Sequence, residues 1–338
     1  MNDLILLVPI LVSLVTTFFL MPSWLKKAKK MGLVWEDMNK LNSPKVAGSG
    51  GLIAVLGFLI GVFIYIAHRV FYFGVTNNLI DIMVLITVVL SVSLIGLIDD
   101  LFGWRSGGLS VKSRIIFVLL SAIPLMAIQA GESTISLPLF GVLNLGLFYS
   151  FIIIPLGVVG ATTTFNFLAG LNGLEAGQGI LLLFAFGITA YFTGTTWLAL
   201  IALCMIASLL SFLFYNQYPA KVFPGDVLTY AVGSLLAVMA ILGNFEKIAI
   251  FFFIPYIIEV VLKAGRGKLN KFSFGKPTKS GELDLLYPKL YGLTHISIFL
   301  LKKMGIKSTE RNAVYLIWLF QIIIIIIGFI IFRQGIFL

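Results

Sequence analysis

Ten stretches of the chain, each 15 to 22 residues long and almost free of charge, occupy positions 3–22, 51–67, 80–98, 113–130, 147–168, 179–194, 196–215, 227–243, 248–262 and 313–332. A helix must offer about 20 apolar residues to cross the roughly 30 Å of bilayer hydrocarbon. Runs of that length in succession leave little chain for a soluble core and predict an all-α polytopic membrane protein of about ten transmembrane helices. The composition agrees, since 59% of residues are hydrophobic and 11% charged, with a mean hydropathy of +1.07 that no ordinary soluble domain reaches. No internal repeat or low-complexity linker divides the sequence, so residues 1–338 read as one integral membrane domain with a large cytoplasmic loop at 263–312. The first run lacks the basic start of a signal peptide and is expected to remain in the mature protein.

The charges sort by side. Ten alternating crossings place 23–50, 99–112, 169–178, 216–226 and 263–312 on one face, which with the adjoining helix ends carries 21 of the 24 Lys and Arg residues, all but Arg69, Lys247 and Arg333. The positive-inside rule makes that face cytoplasmic and puts both termini outside. The net charge of +10 then follows topology, and it attracts anionic lipid headgroups and phosphorylated substrates rather than nucleic acid. Cys204, the only cysteine, falls in an apolar run and excludes an intrachain disulfide framework. With His68 and His295 the only histidines, no zinc set can be assembled.

Three acidic or amide motifs come from separate loops of the basic face. Asp99 and Asp100 end the uncharged run 82–98, at a boundary where a carboxylate avoids the cost of the bilayer centre. Adjacent carboxylates raise one another's pKa unless a metal, a basic partner or a shared proton relieves them; acidic residues that merely stop a helix at the interface explain the pair equally well. Asn166-Phe-Leu-Ala-Gly170-Leu-Asn172-Gly173-Leu-Glu175-Ala-Gly-Gln178 sets two amides and a carboxylate among glycines that favour a turn. Phe223-Pro-Gly-Asp226 precedes the eighth run, where Asp226 is a candidate helix cap. Their shared face and depth argue against independent capping. Carboxylates and an amide oxygen suit magnesium, with manganese as a substitute, and Lys112, Arg114, Lys263, Arg266 and Lys268 supply the cations that phosphoryl transfer requires. Beyond 263, short strands flank the turn at Ser280-Gly281, and 288–303 repeats apolar residues at helical spacing over a stretch too short to span, so it reads as an interfacial helix.

These motifs resemble those of the polyprenyl-phosphate N-acetylhexosamine-1-phosphate transferase superfamily, and within it the archaeal and eukaryotic dolichyl-phosphate branch. The anchors are Asp37-Met-Asn39-Lys40, Gly96-Leu-Ile-Asp99-Asp100, the Asn166–Gln178 segment, Phe223-Pro-Gly-Asp226 and Glu310-Arg311-Asn312. The resemblance implies transfer of N-acetylglucosamine-1-phosphate from UDP-N-acetylglucosamine to a dolichyl or other polyprenyl phosphate, with release of UMP. It makes Asn172 and Asp226 the magnesium ligands and Asp99, Asp100 and Lys112 the catalytic group beside the acceptor phosphate. Phe223 would stack on uracil; Glu36, Asp37, Met38 and Gln178 would meet the nucleotide sugar, Asn166 the acceptor, Glu175 the substrate pocket, and Lys263, Arg266 and Lys268 the sugar and pyrophosphate. Because neighbouring helical positions point about 100° apart, one aspartate of the pair can serve the phosphate while the other supports the fold.

The chain departs from the bacterial relatives at Glu175, where they carry Asp, and in lacking their histidine-rich loop motif; both departures favour the dolichyl branch. It departs from the dolichyl branch too, at Gly48 in place of an acidic residue and in having no histidine beside Lys263 and Arg266. The sugar is not fixed, so another UDP-N-acetylhexosamine is an alternative donor. A transporter or scramblase of lipid-linked sugar is the rival from another class; its polar residues would lie near the midplane between repeats. The compact chain points to an archaeal cell membrane, or the endoplasmic reticulum in a eukaryote, and leaves room for a homodimer.

Overall fold

The computed structural model describes residues 3–137, 141–265 and 272–337. A 3₁₀ turn at Asp3–Leu6 leads into α1 (Leu7–Met31), which ends on Gly32 in the left-handed conformation, φ +76°, with Lys29 and Lys30 in its last turn against the negative end of the helix dipole. Strands β1 (Val34–Glu36) and β2 (Lys45–Ala47) pair antiparallel, and Ala47 also bridges in parallel to Val222. Next come α2 (Gly51–Ala67), extended by a π turn over His68–Tyr72, and α3 (Leu79–Ser106). The short helices α4 (Val111–Ser121) and α5 (Ile123–Ala127) precede a hairpin of β3 (Thr134–Leu137) and β4 (Gly141–Asn144). A π turn over Tyr149–Ile153 then opens α6 (Ile154–Phe167), followed by α7 (Leu174–Phe192), α8 (Thr196–Asn216) and α9 (Asp226–Leu242). Last are α10 (Glu246–Phe252), α11 (Ile254–Ala264), the hairpin β5 (Gly275–Pro277) and β6 (Leu283–Leu285), α12 (Leu293–Lys303), α13 (Glu310–Ile331) and α14 (Arg333–Ile336).

Each of the ten apolar runs is helical, but among the described residues only seven helices are long and apolar enough to cross a membrane. Two runs break at proline. The run 113–130 divides into α4 and α5 at Pro124, and the run 248–262 divides into α10 and α11 at Pro255, because proline lacks the N–H of the helical ladder and favours a first turn. The eighth run forms α9, 17 residues long and buried on nearly every side, which explains why it is apolar all round. The hairpin and helix expected after 263 are present as β5, β6 and α12. The β1–β2 ladder, three residues on each strand, was not read from the sequence.

Close approach of helices depends on small residues. On α2, Gly57 and Gly61 face α1 so tightly that added Cβ atoms would lie 2.0 Å from Thr17 Oγ1 and 1.8 Å from Ser13 Oγ. The Thr17 and Ser208 hydroxyls meet at 2.7 Å, and Ser208 donates to the Ala54 carbonyl, fastening α8 to both. On α3, Gly96 touches the start of α9, where a Cβ would come within 2.5 Å of the Asp226 carbonyl. That contact brings the end of α3 alongside the beginning of α9, and with it the motifs at 99–100 and 223–226.

Candidate active site

Asp99 and Asp100 lie inside α3, which continues to Ser106, and their carboxylates go to different partners. Gly107 and Gly108, both at positive φ (+92° and +80°), turn the chain back so that the Leu109 N–H donates to Asp99 Oδ1 at 2.7 Å. Arg114 on α4 reaches the other oxygen, Nε to Oδ2 being 2.6 Å, and its Nε also donates to the Leu109 carbonyl at 3.1 Å. The Asp226 carboxyl lies beside that of Asp99.

Asp100 faces the backbone of α9 instead. Its Oδ1 accepts the Asp226 N–H at 2.7 Å, and its Oδ2 accepts the Ser49 hydroxyl at 2.9 Å and the Val227 N–H at 3.4 Å. The N-cap position of α9 is Gly225, which has no side chain to cap with. Asp100 therefore caps that helix from α3, and Gly225 leaves the space, since a Cβ there would sit 2.2 Å from Asp100 Oδ2. Asp226 itself does not act as the cap. Asp99 and Asp226 thus share one guanidinium with Asp100 close behind, a balance of charge that calls for a shared proton or a further cation.

The second cluster is built on Lys40. Its ammonium bonds Asp37 Oδ2, Asn172 Oδ1 at 3.0 Å and Glu310 Oε2 at 3.2 Å. Asn172 N–H donates to Glu310 Oε1 at 2.6 Å, its Nδ2 donates to Asp37 Oδ2 at 3.2 Å, and its Oδ1 accepts a second bond, from the Ala220 N–H at 2.8 Å. Beside it Asn39 joins the Gly170 carbonyl to the Gly275 N–H, and Glu175 accepts the Gly170 N–H at 2.8 Å.

A third cluster closes the end of α11. Lys263 is buried against Glu259 at 3.0 Å and donates to Ser273 Oγ and to the Phe167 carbonyl. Glu259 Oε2 accepts the Leu293 N–H at 2.6 Å, capping α12, whose N-cap is again a glycine, Gly292. His295 is enclosed by the Phe274 carbonyl, the Tyr291 N–H and the Tyr287 ring, and loss of water holds its imidazole below the ordinary value of 6.5.

The expected site residues therefore divide. Asp99 and Asp226 meet, and Asp100 holds the start of α9 that carries Asp226. Asn172 stands in the Lys40 cluster, and no hydrogen bond or ion pair joins it to Asp226 among the described residues. Of the 36–38 segment, Asp37 turns inward while Glu36 and Met38 are exposed. Asn166 Oδ1 accepts from Thr229 in the first turn of α9, and Phe223 is half-buried with its backbone paired to Ala47 and Gly50. Gln178 packs against α13, its Nε2 on the Ile317 carbonyl, rather than facing the clusters. Lys112 is exposed and makes no ion pair among the described residues; Arg114 makes the contact to Asp99. Arg266 and Lys268 lie outside the described residues. Lys40 and Glu310, central to the second cluster, and Tyr218, whose ring covers the Lys40 ammonium at 4.6 Å, are not among the expected site residues, although Lys40 and Glu310 sit in quoted motifs and are charges facing an apolar bundle.

A divalent cation fits the oxygen donors of Asp99 and Asp226, whose charges one guanidinium does not balance. It does not fit Asn172 as arranged, because that amide oxygen already accepts two hydrogen bonds. Among the described residues no group of three His, Cys, Asp or Glu side chains converges in metal-site geometry.

The model of glycosyl transferase family 4 matches residues 82–244, from α3 to the end of α9. A Saccharolobus solfataricus protein provisionally named UDP-N-acetylglucosamine–dolichyl-phosphate N-acetylglucosaminephosphotransferase is 36% identical over 330 residues, covering 97% of each chain. A Sulfolobus acidocaldarius protein with the same provisional name is 31% identical, covering 96% of this chain and 95% of its own. The Dictyostelium discoideum protein bearing that name outright is 26% identical across 93% of this chain and 85% of its own. On this full-length similarity the chain belongs to glycosyl transferase family 4, within the superfamily of polyprenyl-phosphate N-acetylhexosamine-1-phosphate transferases, and is an enzyme of the glycosyl-1-phosphate transferase type.

Proposed function

We propose that the protein transfers N-acetylglucosamine-1-phosphate from UDP-N-acetylglucosamine to dolichyl phosphate or a related polyprenyl phosphate. The observation that carries this reading is the meeting of Asp99, Asp226 and Arg114 at one end of α3 and α9, in a chain similar over nearly its full length to proteins named for that reaction. An acceptor phosphate oxygen attacks the sugar-bearing phosphorus of the donor, the bond to the bridging oxygen breaks, and UMP departs. The acceptor needs little help from a base, because a phosphate monoester with a second pKa of about 6 is already largely dianionic near neutrality. Arg114 orients Asp99, and the two place a carboxylate beside a cation at the end of α3. Asp99 and Asp226 would hold a magnesium or manganese ion, which would supply positive charge against the phosphoryl oxygens. Asp100 keeps Asp226 at its place on α9.

The same proposal includes ten crossings, the seven long helices and α9 being joined by the two proline-broken runs, with both termini outside and the site on the cytoplasmic face. The test is incubation of purified protein with dolichyl phosphate, UDP-N-acetylglucosamine and magnesium, with UMP and lipid-linked sugar assayed separately. Equal yields of both are expected. Absence of lipid product with this and other UDP-N-acetylhexosamines would refute the reading, and counterflow of labelled nucleotide sugar without UMP would favour a transporter.

A further inference from the structure

Lys40 has three N–H donors and all three are engaged, by Asp37 from its own loop, by Asn172 from the turn between α6 and α7, and by Glu310 from the first turn of α13. The side chains of Asp37 and Glu310 are each only 2% exposed, so two buried negative charges meet on one ammonium. The Tyr218 ring covers that ammonium at 4.6 Å and carries the Arg311 guanidinium at 5.4 Å. The turn that Lys40 grips has little rigidity of its own, because Gly170 and Gly173, at φ +135° and +86°, flank it on both sides. Its shape is imposed by side chains. Asn172 spends its N–H, its Nδ2 and both lone pairs of Oδ1 within this one network.

The consequence reaches the first cluster. The end of α6, which leads into the turn, bonds through Asn166 to Thr229, and Thr229 Oγ1 also donates to the Asp226 carbonyl. Withdrawing the ammonium leaves Asp37 and Glu310 to repel across Asn172, opens the turn and shifts the segment that abuts α9. We infer that Lys40 is a positioning residue for the transfer reaction, holding the 170–173 turn in register with the Asp99–Asp226 centre. The inference rests on the proposed function. Its requirement is geometric as well as electrostatic: three acceptors converge on one point, which suits an ammonium, whereas the planar fork of arginine cannot direct three bonds there.

The experiment compares wild type, Lys40→Met, Lys40→Arg and Lys40→Cys, the last before and after alkylation with bromoethylamine, which rebuilds an ammonium at nearly the native distance. The native Cys204 is buried and is spared by the reagent in folded protein. The readouts are steady-state kinetics and hydrogen exchange at the Asn172 and Ala220 amides. Lys40→Met, Lys40→Arg and unmodified Lys40→Cys should lower kcat by about 10- to 100-fold, as expected when reacting groups are displaced by an ångström. The KM for nucleotide sugar should stay within about threefold, because substrate binding is largely retained. Protection of the two amides should fall, and aminoethylation should restore both protection and kcat. If Lys40→Met does not fold, the alkylated and unalkylated Lys40→Cys pair carries the comparison. Native kcat in Lys40→Met, full activity in Lys40→Arg, or unchanged amide protection overturns the inference. An inactive wild type overturns the proposed reaction instead, and leaves hydrogen exchange to judge the hold of Lys40 on the turn.

Discussion

Replacing Asp100 by alanine should destabilise the protein chiefly by uncapping α9. The carboxylate is 8% exposed and accepts three hydrogen bonds, from the Asp226 and Val227 N–H groups and from Ser49. Loss of an N-cap costs about 1 kcal/mol, with an upper range of about 2, and leaving buried donors unpaired adds about 1–3 kcal/mol. Gly225 offers no substitute cap, and water has little access, so the sum is about 2–4 kcal/mol. Taking about 2.1 cal/mol/K per residue for the unfolding entropy, 338 residues give about 0.7 kcal/mol/K and a fall in Tm of about 3–6 °C. The assay follows Tm in detergent with a thiol-reactive fluorophore, for which the buried and solitary Cys204 is a clean reporter of unfolding. Asp99→Asn is the comparison, since an asparagine oxygen can still accept the Leu109 N–H. That variant should lose most turnover while its Tm moves by less than about 2 °C, the surviving bond keeping the loop closed. A native Tm in Asp100→Ala, or a larger fall in Asp99→Asn, would refute the division of labour between the two aspartates.

Lys263→Met should reduce stability by about 3–5 kcal/mol, the cost of stranding a buried ionic partner, here Glu259; the same thiol assay and detergent-extracted yield would register it, and a native Tm would contradict it. His295 has a folded-state pKa below its ordinary 6.5 because it is buried among Phe274, Tyr287 and Tyr291 and lies near the Lys263 charge. The unfolded chain therefore takes up a proton first as pH falls, so this group's contribution is intact above about pH 6.5 and declines as pH drops towards the folded value. Tm measured between about pH 7.5 and 5.5 should fall less steeply in His295→Gln than in wild type, and parallel slopes would count against it. Chelation by EDTA should abolish lipid-linked product, with recovery on adding magnesium or manganese; undiminished product in chelator would remove the metal from the proposed mechanism.

All ten helical runs were legible as apolar segments, because lipid and core both select side chains by hydropathy and that is written residue by residue. The breaks were less so: Pro124 and Pro255 divide two runs whose apolar character continues across the break. In the site, the common face of Asp99, Asp100 and Asp226 was legible from topology and sign of charge. Which of the cations would pair with them was not. Lys112 and Arg114 are two positions apart, and on a helix they point nearly opposite ways, so the choice of Arg114 depends on the rotation of α4 set by the Ser110 cap and the glycine turn before it.

The deeper obstacle is that buried acids in this protein do two jobs that look alike in sequence. Asp100 caps α9 from 126 residues away, and Glu259 caps α12 from 34 residues away; in each case the local N-cap is a glycine that leaves room for the imported carboxylate. Glu310 does the same for a single amide, that of Asn172, across 138 residues. An aspartate or glutamate at a membrane boundary therefore reads equally as a cap, a counter-ion or a ligand until its lone pairs are assigned. Asn172 is the instructive case. Its residue type and position suit metal coordination, yet its oxygen is filled by Lys40 and the Ala220 N–H. Asp226 is the reverse: placed where a local cap belongs, it yields that role to Asp100, and its own carboxyl is left facing Asp99, where the proposed reaction uses it.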